Sequence, residues 1–316
     1  MENKSICYDN EYDFSASVCE KATLADISPE AVDIFRTRCI QKNSSETANS
    51  NSSETANSGE QLLRDVGAIT PDGITYAALI LFGTEAGLRK HLSQSEIIFE
   101  YRHSNRPGPA SAREEFKVGL FSCFDRLWEL IALRNDLNFY QEGFFMIPIP
   151  SYNRLVVSEA ILNAVSHRNY QLSGSIIIKQ YADRLDIENP GGFLKGVTKE
   201  NLLYRQAPRN RLITELLERS GLVLRAGQGM DLIYSLCIKE SKELPNFLDS
   251  DEWAFRMRLS GGRIDGRFLS ILKKIENVMV RALSVEELMA INSLYWHEDA
   301  GLDLDKYMIR LGEMAI

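Results

Sequence analysis

One stretch, RLVVSEAILNAVSHRNY at 154–170, restricts the fold more than any other. Wound as a helix, it places Val156, Val157, Ala160, Ile161, Leu162, Ala164 and Val165 over most of its circumference. A helix that is apolar nearly all round is buried. The exception is one stripe: Glu159, Asn163 and His167 fall within about 80° of one another, with Ser166 beside them. Unpaired polar groups in such a setting cost about 1–3 kcal/mol each, so the stripe has to face partners, water or a ligand. Taken alone, the helix allows both a stripe bonded to neighbouring backbone inside a core and one wall of a binding site.

The segments C-terminal to this helix define the fold class. SIIIKQY and RLDIEN are β-branched runs joined by Ala182-Asp183, the pattern of an antiparallel hairpin. The order continues with a glycine turn, helices at about 198–204, 209–220 and 229–238, and a strand at about 252–259. Helices on one face of a mixed, mainly antiparallel sheet make an α+β sandwich over 153–260. A strictly alternating βαβ order is missing, which argues against a dinucleotide-binding fold. Residues 61–152 read as an α/β region leading into this domain, with a turn at Pro71-Asp72-Gly73, a strand at about 95–103, one long amphipathic helix at about 110–135 and an extended edge segment before Ser151. Residues 1–42 hold one helix, started by Ser28, Pro29 and Glu30. NSSETANS stands at 43–50 and again at 51–58. It has no apolar face to offset the entropy of ordering, so 43–60 is expected to be a disordered linker. The tail, 261–316, reads as successive helices: a cap, or the beginning of a winged helix.

Composition narrows the function classes. The formal net charge of -8 and the lack of a long basic cluster mean that nucleic acid would need a local basic surface. The five cysteines are scattered, with no C-x-x-C pair, and no signal peptide precedes them; a reducing cytoplasm is the expected setting. No apolar run approaches the about 18 residues of a membrane span.

Two further segments bear on the stripe. Asn189-Pro190-Gly191-Gly192 comes directly after a strand, where backbone can approach a flat ligand. Gly227 and Gly229 open a helix, whose exposed amides suit phosphate oxygens. Each alone is as well explained by an ordinary turn. No G-x-x-x-x-G-K-[ST] is present, so a P-loop is excluded.

In this order, the segments resemble the GHKL (Bergerat-fold) ATPases. They are most similar to the branch in bacterial transcriptional-regulator and RecG-related proteins, in which a Schlafen/AlbA-type domain precedes the ATPase-like one. EAILNAVSHRNY matches the N-box E-x-x-x-N-x-x-x-H. LDIENPGG matches the strand-plus-NPGG motif, QAPRNRLITELLERSGL the P-R-N segment, and RAGQGMDLI stands at the second glycine box. The resemblance implies that Asn163 holds a Mg²⁺ against ATP phosphates, Glu159 orients or deprotonates a water, and His167 closes the far end. It implies that Asn189 accepts from the adenine amino group, Gly191 and Gly192 let the base lie flat, and Gly227 and Gly229 form the phosphate lid. It implies a nucleotide-binding regulator, with DNA contact through a winged helix or a homodimer as readouts. A non-hydrolysing scaffold or DNA-binding module, and a true ATPase with a chaperone-like or topoisomerase-like cycle, stay open beside it. Asn189 stands in place of an aspartate, Phe193 of a glycine, and Asn169 of an acidic residue. The preceding domain is reduced to a last helix, and no helicase core motif is visible.

Overall fold

The computed structural model describes residues 12–46, 58–106, 108–199, 201–203, 208–223, 228–247, 249–262, 264–279 and 281–297. Helix α1 (Pro29–Glu46) starts as its sequence indicates, with Ser28 Oγ accepting from Ala31 N at 3.2 Å. It runs into the first repeat copy, and α2 (Gly59–Asp65) begins one residue after the second. The expected linker is thus helical at both described ends; 47–57 lie outside the described residues. A short antiparallel pair, β1 (Ile69–Thr70) and β2 (Gly73–Ile74), precedes α3 (Tyr76–Phe82), α4 (Glu85–His91) and β3 (Ile97–Tyr101).

The single long helix expected at 110–135 is instead a strand, β4 (Ala112–Phe116), followed by α5 (Leu120–Ala132). The charges that make SAREEF look like a helix face are cross-strand partners: Arg113 lies opposite Glu100 of β3 and bonds it at 2.5 Å. The extended segment before Ser151 is a hairpin of β5 (Leu137–Glu142) and β6 (Phe145–Pro150). Next come α6 (Arg154–His167), β7 (Ile176–Gln180), β8 (Arg184–Pro190), α7 (Arg211–Arg219), α8 (Gly229–Lys239), β9 (Ala254–Ser260), α9 (Gly266–Met279) and α10 (Val285–His297). The helix expected near 198–204 does not form among the described residues there. The Asn201 side chain accepts from Thr198 N at 2.7 Å and donates to Gly196 O at 2.9 Å, closing turns instead. The third expected tail helix lies outside the described residues.

The main sheet has the order β4-β3-β7-β8-β9, with β3 and β7 parallel and every other pair antiparallel. Burial alternates along β7 and β8, so Ile176, Ile178, Leu185 and Ile187 face the helices. The opposite face carries ion pairs such as Asp186–Arg258 at 2.7 Å and Glu188–Arg256 at 3.4 Å. Pairs this exposed contribute about 0–1 kcal/mol each, so they mark a solvated face rather than a source of stability. The fold is therefore an α+β sandwich with a mixed, mainly antiparallel sheet. One continuous core runs from Cys19 to Leu259. A second, smaller core joins Ile238 of α8 to Phe268, Leu272 and Ile275 of α9 and to Leu288 and Ile291 of α10. Among the described residues no helix is long and apolar enough to cross a membrane.

Candidate functional site

Helix α6 is capped by Asn153, whose Oδ1 accepts from Leu155 N at 2.9 Å, and it packs between β8 and α8. Val156, Val157, Ala160, Ile161, Leu162, Ala164 and Val165 are buried as the pattern requires, while Leu155 in the first turn is exposed. Along the polar stripe, Glu159 is buried and has no hydrogen-bond or ion-pair partner among the described residues. Burial pushes its carboxyl up to about 7. Directly above it lies the first residue of α8: a Cβ on Gly229 would strike the Glu159 carboxylate, approaching its Cδ to 2.8 Å. Helices α6 and α8 therefore meet at this contact. One turn on, the half-buried Asn163 has an Nδ2 with no partner. At the end of the stripe, burial first, then the Arg209 charge, push the His167 imidazole down to about 4, so the ring is neutral at pH 7.

The end of β8 supplies a second polar group. Asn189 is fully buried; its Nδ2 donates to Pro190 O at 3.4 Å and its Oδ1 has no partner. Gly191 has φ +94°, a conformation that side chains rarely adopt. A Cβ there would lie 2.8 Å from Asn169 Cβ, and one on Gly192 would fall on the Asp251–Glu252 backbone. Gly191 N and Gly192 N donate to Trp253 O at 2.6 Å and Glu252 O at 3.2 Å. On the side where a Cβ would stand, Gly191 meets Asn169 and the Arg209 side chain, and Gly192 meets the 251–252 backbone.

A clamp connects the two segments. Arg209 donates from Nε to His167 O and from Nη2 to Gly192 O, both at 3.0 Å. Asn210, also buried, donates from Nδ2 to Ser166 O at 2.9 Å and Arg168 O at 2.8 Å. The P-R-N segment thus satisfies carbonyls at the C-terminal end of α6, which a buried helix end requires. Arg168 beside it is fully buried. Its Nη2 donates to Gln94 O, Leu172 O and Gly174 O at 3.0, 3.1 and 2.6 Å, its Nη1 to Asn169 O at 3.0 Å, and it stacks over Tyr170. Burial holds the guanidinium below its usual range. Sequence reasoning gave Arg168, Arg209 and Asn210 no role. The motif match around P-R-N was the available signal, and it did not reveal that the partners are main-chain carbonyls 17 to 44 positions away.

Glu159, Asn163 and Gly229 are thus brought to one place, and His167 is tied to the NPGG turn through Arg209. Asn189 stands at the end of β8, the strand on which α6 packs. Gly227 lies outside the described residues. Among the described residues no cluster of three or more acidic, histidine or cysteine side chains could hold a metal by itself. The donors on offer are amides and one carboxyl, which suits an ion bound chiefly by phosphate and water.

Fold and site describe an α+β sandwich with polar groups facing inward between its helix layer and one strand end. Residues 174–259 match the ATPase-like family described as "Putative ATP-dependent DNA helicase recG C-terminal". That segment contains Asn189, Gly191, Gly192 and Gly229; Glu159, Asn163 and His167 precede it. Residues 4–98 match a domain of unknown function, DUF8451. The structure is similar to the crystal structure of the DIP2311 protein from Corynebacterium diphtheriae, with a TM-score of 0.73 and 24% identity, a likeness of fold. The match covers 90% of this chain and 55% of that one, so the chain spans little more than half of its length. No curated protein matches the sequence.

Proposed function

We propose that this chain is a nucleotide-dependent regulator that binds Mg-ATP between α6, the end of β8 and the start of α8. The observation that carries the reading is two amides with an orphaned atom each: the fully buried Asn189, whose Oδ1 has no partner, and the half-buried Asn163, whose Nδ2 has none. Leaving such atoms unmade costs about 1–3 kcal/mol each, and a ligand that supplies the missing partners recovers it. An adenine amino group is a donor matched to Asn189 Oδ1, whose own Nδ2 is already engaged. Asn163 is one turn from Glu159; its Nδ2 would donate to a phosphate oxygen while its amide oxygen would hold the ion. Mg²⁺, when bound, would neutralise phosphate charge. The amide of Gly229, which opens α8, would face the phosphates, and Gly191 and Gly192 would border the base. In this reading α8 is the transmitting element: Gly229 at one end touches Glu159, while Ile238 at the other belongs to the α9–α10 core. A shift of α8 on binding would be felt by that tail, whose readout would be DNA contact or self-association.

The test is titration of a fluorescent ATP analogue with and without Mg²⁺. Saturable, Mg-dependent binding that weakens at least tenfold in Asn163→Ala is expected. No saturable binding by the intact chain would end the proposal. Hydrolysis is a second reading, favoured by Glu159, a carboxyl poised near neutral pH at the phosphate end of the stripe. Acting as a base it must be deprotonated, so turnover should rise with pH through about 7. Glu159→Gln should abolish turnover while binding persists.

A further inference from the structure

The turn that follows β8 is held by its main chain. Asn169 N donates to Pro190 O at 2.8 Å, Gly191 N to Trp253 O at 2.6 Å and Gly192 N to Glu252 O at 3.2 Å. Gly192 O accepts from Arg209 Nη2, and the same guanidinium reaches the last carbonyl of α6, that of His167, through Nε. Its Cζ lies 3.6 Å from where a Cβ on Gly191 would stand, so the guanidinium fills the notch between the helix end and the turn. A rigid planar fork holds two carbonyls at a fixed spacing, which an ammonium on a flexible stem does not. A positive charge is also favoured at the C-terminal end of a helix.

The turn in its place fixes a neighbouring side chain. Pro190 O, itself tied to Asn169 N, faces the Asn189 amide, whose Nδ2 donates to it at 3.4 Å. Rotating that amide by half a turn would set Oδ1 against Pro190 O, two acceptors with no hydrogen between them. The carbonyl therefore decides which end of the amide is left over, and the end left over is Oδ1, a buried acceptor without a partner. Adenine carries an amino donor at the position where guanine carries its O6 acceptor. An amide locked with its oxygen outward suits the first and opposes the second; an amide able to rotate suits both.

We propose that Arg209 is a positioning residue that sets a preference for adenine over guanine nucleotides. It does so by pinning Gly192 O to the end of α6, which keeps Pro190 O against the Asn189 amide. This inference rests on the nucleotide reading given above. Arg209 acts through the turn, not by touching the base. Its neighbour Asn210 separately holds Ser166 O and Arg168 O, so the end of α6 stays capped when Arg209 is replaced. Loss of Arg209 should therefore change selectivity more than it changes the fold.

The test is competition of ATP and GTP against a fluorescent ATP analogue, with Mg²⁺ present, for the full chain and for Arg209→Met. The full chain should prefer ATP at least tenfold. In Arg209→Met that preference should fall at least fivefold, while the factor by which Mg²⁺ strengthens ATP binding, set at Asn163, stays the same. Weakening of both nucleotides by one common factor, or loss of all binding by the variant, would make Arg209 merely structural and overturns the proposal. So does a full chain that binds ATP and GTP equally. A full chain that binds neither nucleotide ends the underlying reading and this inference together. Should Arg209→Met lose its native dichroism, Arg209→Lys, which keeps the charge but not the fork, is measured in its place; the same fall is expected, and an unchanged preference overturns the proposal.

Discussion

Glu159 and His167 sit two turns apart on α6, and burial moves both towards their neutral forms. For Glu159 the folded chain binds a proton that the unfolded chain has released between about 4.5 and 7. Its contribution to stability is therefore greatest below 4.5 and falls as pH rises to 7, by about 3 kcal/mol in all. For His167 the unfolded chain binds the proton between 6.5 and about 4, so stability is present above 6.5 and is lost as pH falls. The two slopes oppose each other between 4.5 and 6.5 and flatten the pH profile there. Glu159→Gln should raise the melting temperature at pH 8 and leave it nearly unchanged at pH 5. Equal shifts at both values would show that the carboxyl titrates normally. Asn189→Leu separates structure from binding: removing a buried amide whose oxygen is unpartnered and whose Nδ2 makes one long bond should leave thermal stability unchanged or higher, while nucleotide affinity falls at least tenfold. A large loss of stability would mean that the Asn189 oxygen has a structural partner.

At the scale of elements, the ends of α6 and α8 fix the site. Asn210→Ala would strip a side-chain donor from two carbonyls at a buried helix end, at a cost of about 2–3 kcal/mol, measurable by urea unfolding. Gly229→Ala forces α8 and Glu159 apart, and we expect both weakened nucleotide binding and a lower melting temperature. An unaffected variant would mean that α8 moves freely at that point. These elements were partly legible in the sequence. The helix, the SIIIKQY–RLDIEN hairpin and the stripe could be read because their periods, 3.6 and 2, are local. SAREEF could not, because Arg113 and Glu115 owe their place to β3 rather than to sequence neighbours. The clamp was hidden for the same reason: it is built of main-chain acceptors, which carry no residue identity. The two orphaned amides could be named from the stripe and the NPGG motif, but that they lack partners is a property of packing alone.

Across the whole molecule, a single core joins the N-terminal region to the ATPase-like one. Asp13 Oδ2 accepts from Leu212 N at 3.0 Å at the start of α7, and Lys42 Nζ donates to Glu218 O at 2.7 Å near its end. The segment before the repeat thus holds both ends of a helix that lies between the P-R-N clamp and α8. Residues 12–260 should lose structure in one cooperative thermal transition, with far-UV dichroism and tryptophan fluorescence coinciding. The α9–α10 pair rests on its own smaller core and should show weaker amide protection in hydrogen exchange. Two well-separated transitions within 12–260 would contradict the continuity of the core.

The buried Arg168 has a consequence for the chain as it leaves the ribosome. Its guanidinium joins Gln94 O to the carbonyls of 169–174, and β3 takes β7 as its neighbour just there. Until β7 is made, the β3–β4 pair carries a bare strand edge, and the first half of the chain waits for a charge that arrives 74 residues later. A nascent chain stalled near residue 150 would thus expose a sticky edge that calls for a chaperone, and release past residue 180 would seal it.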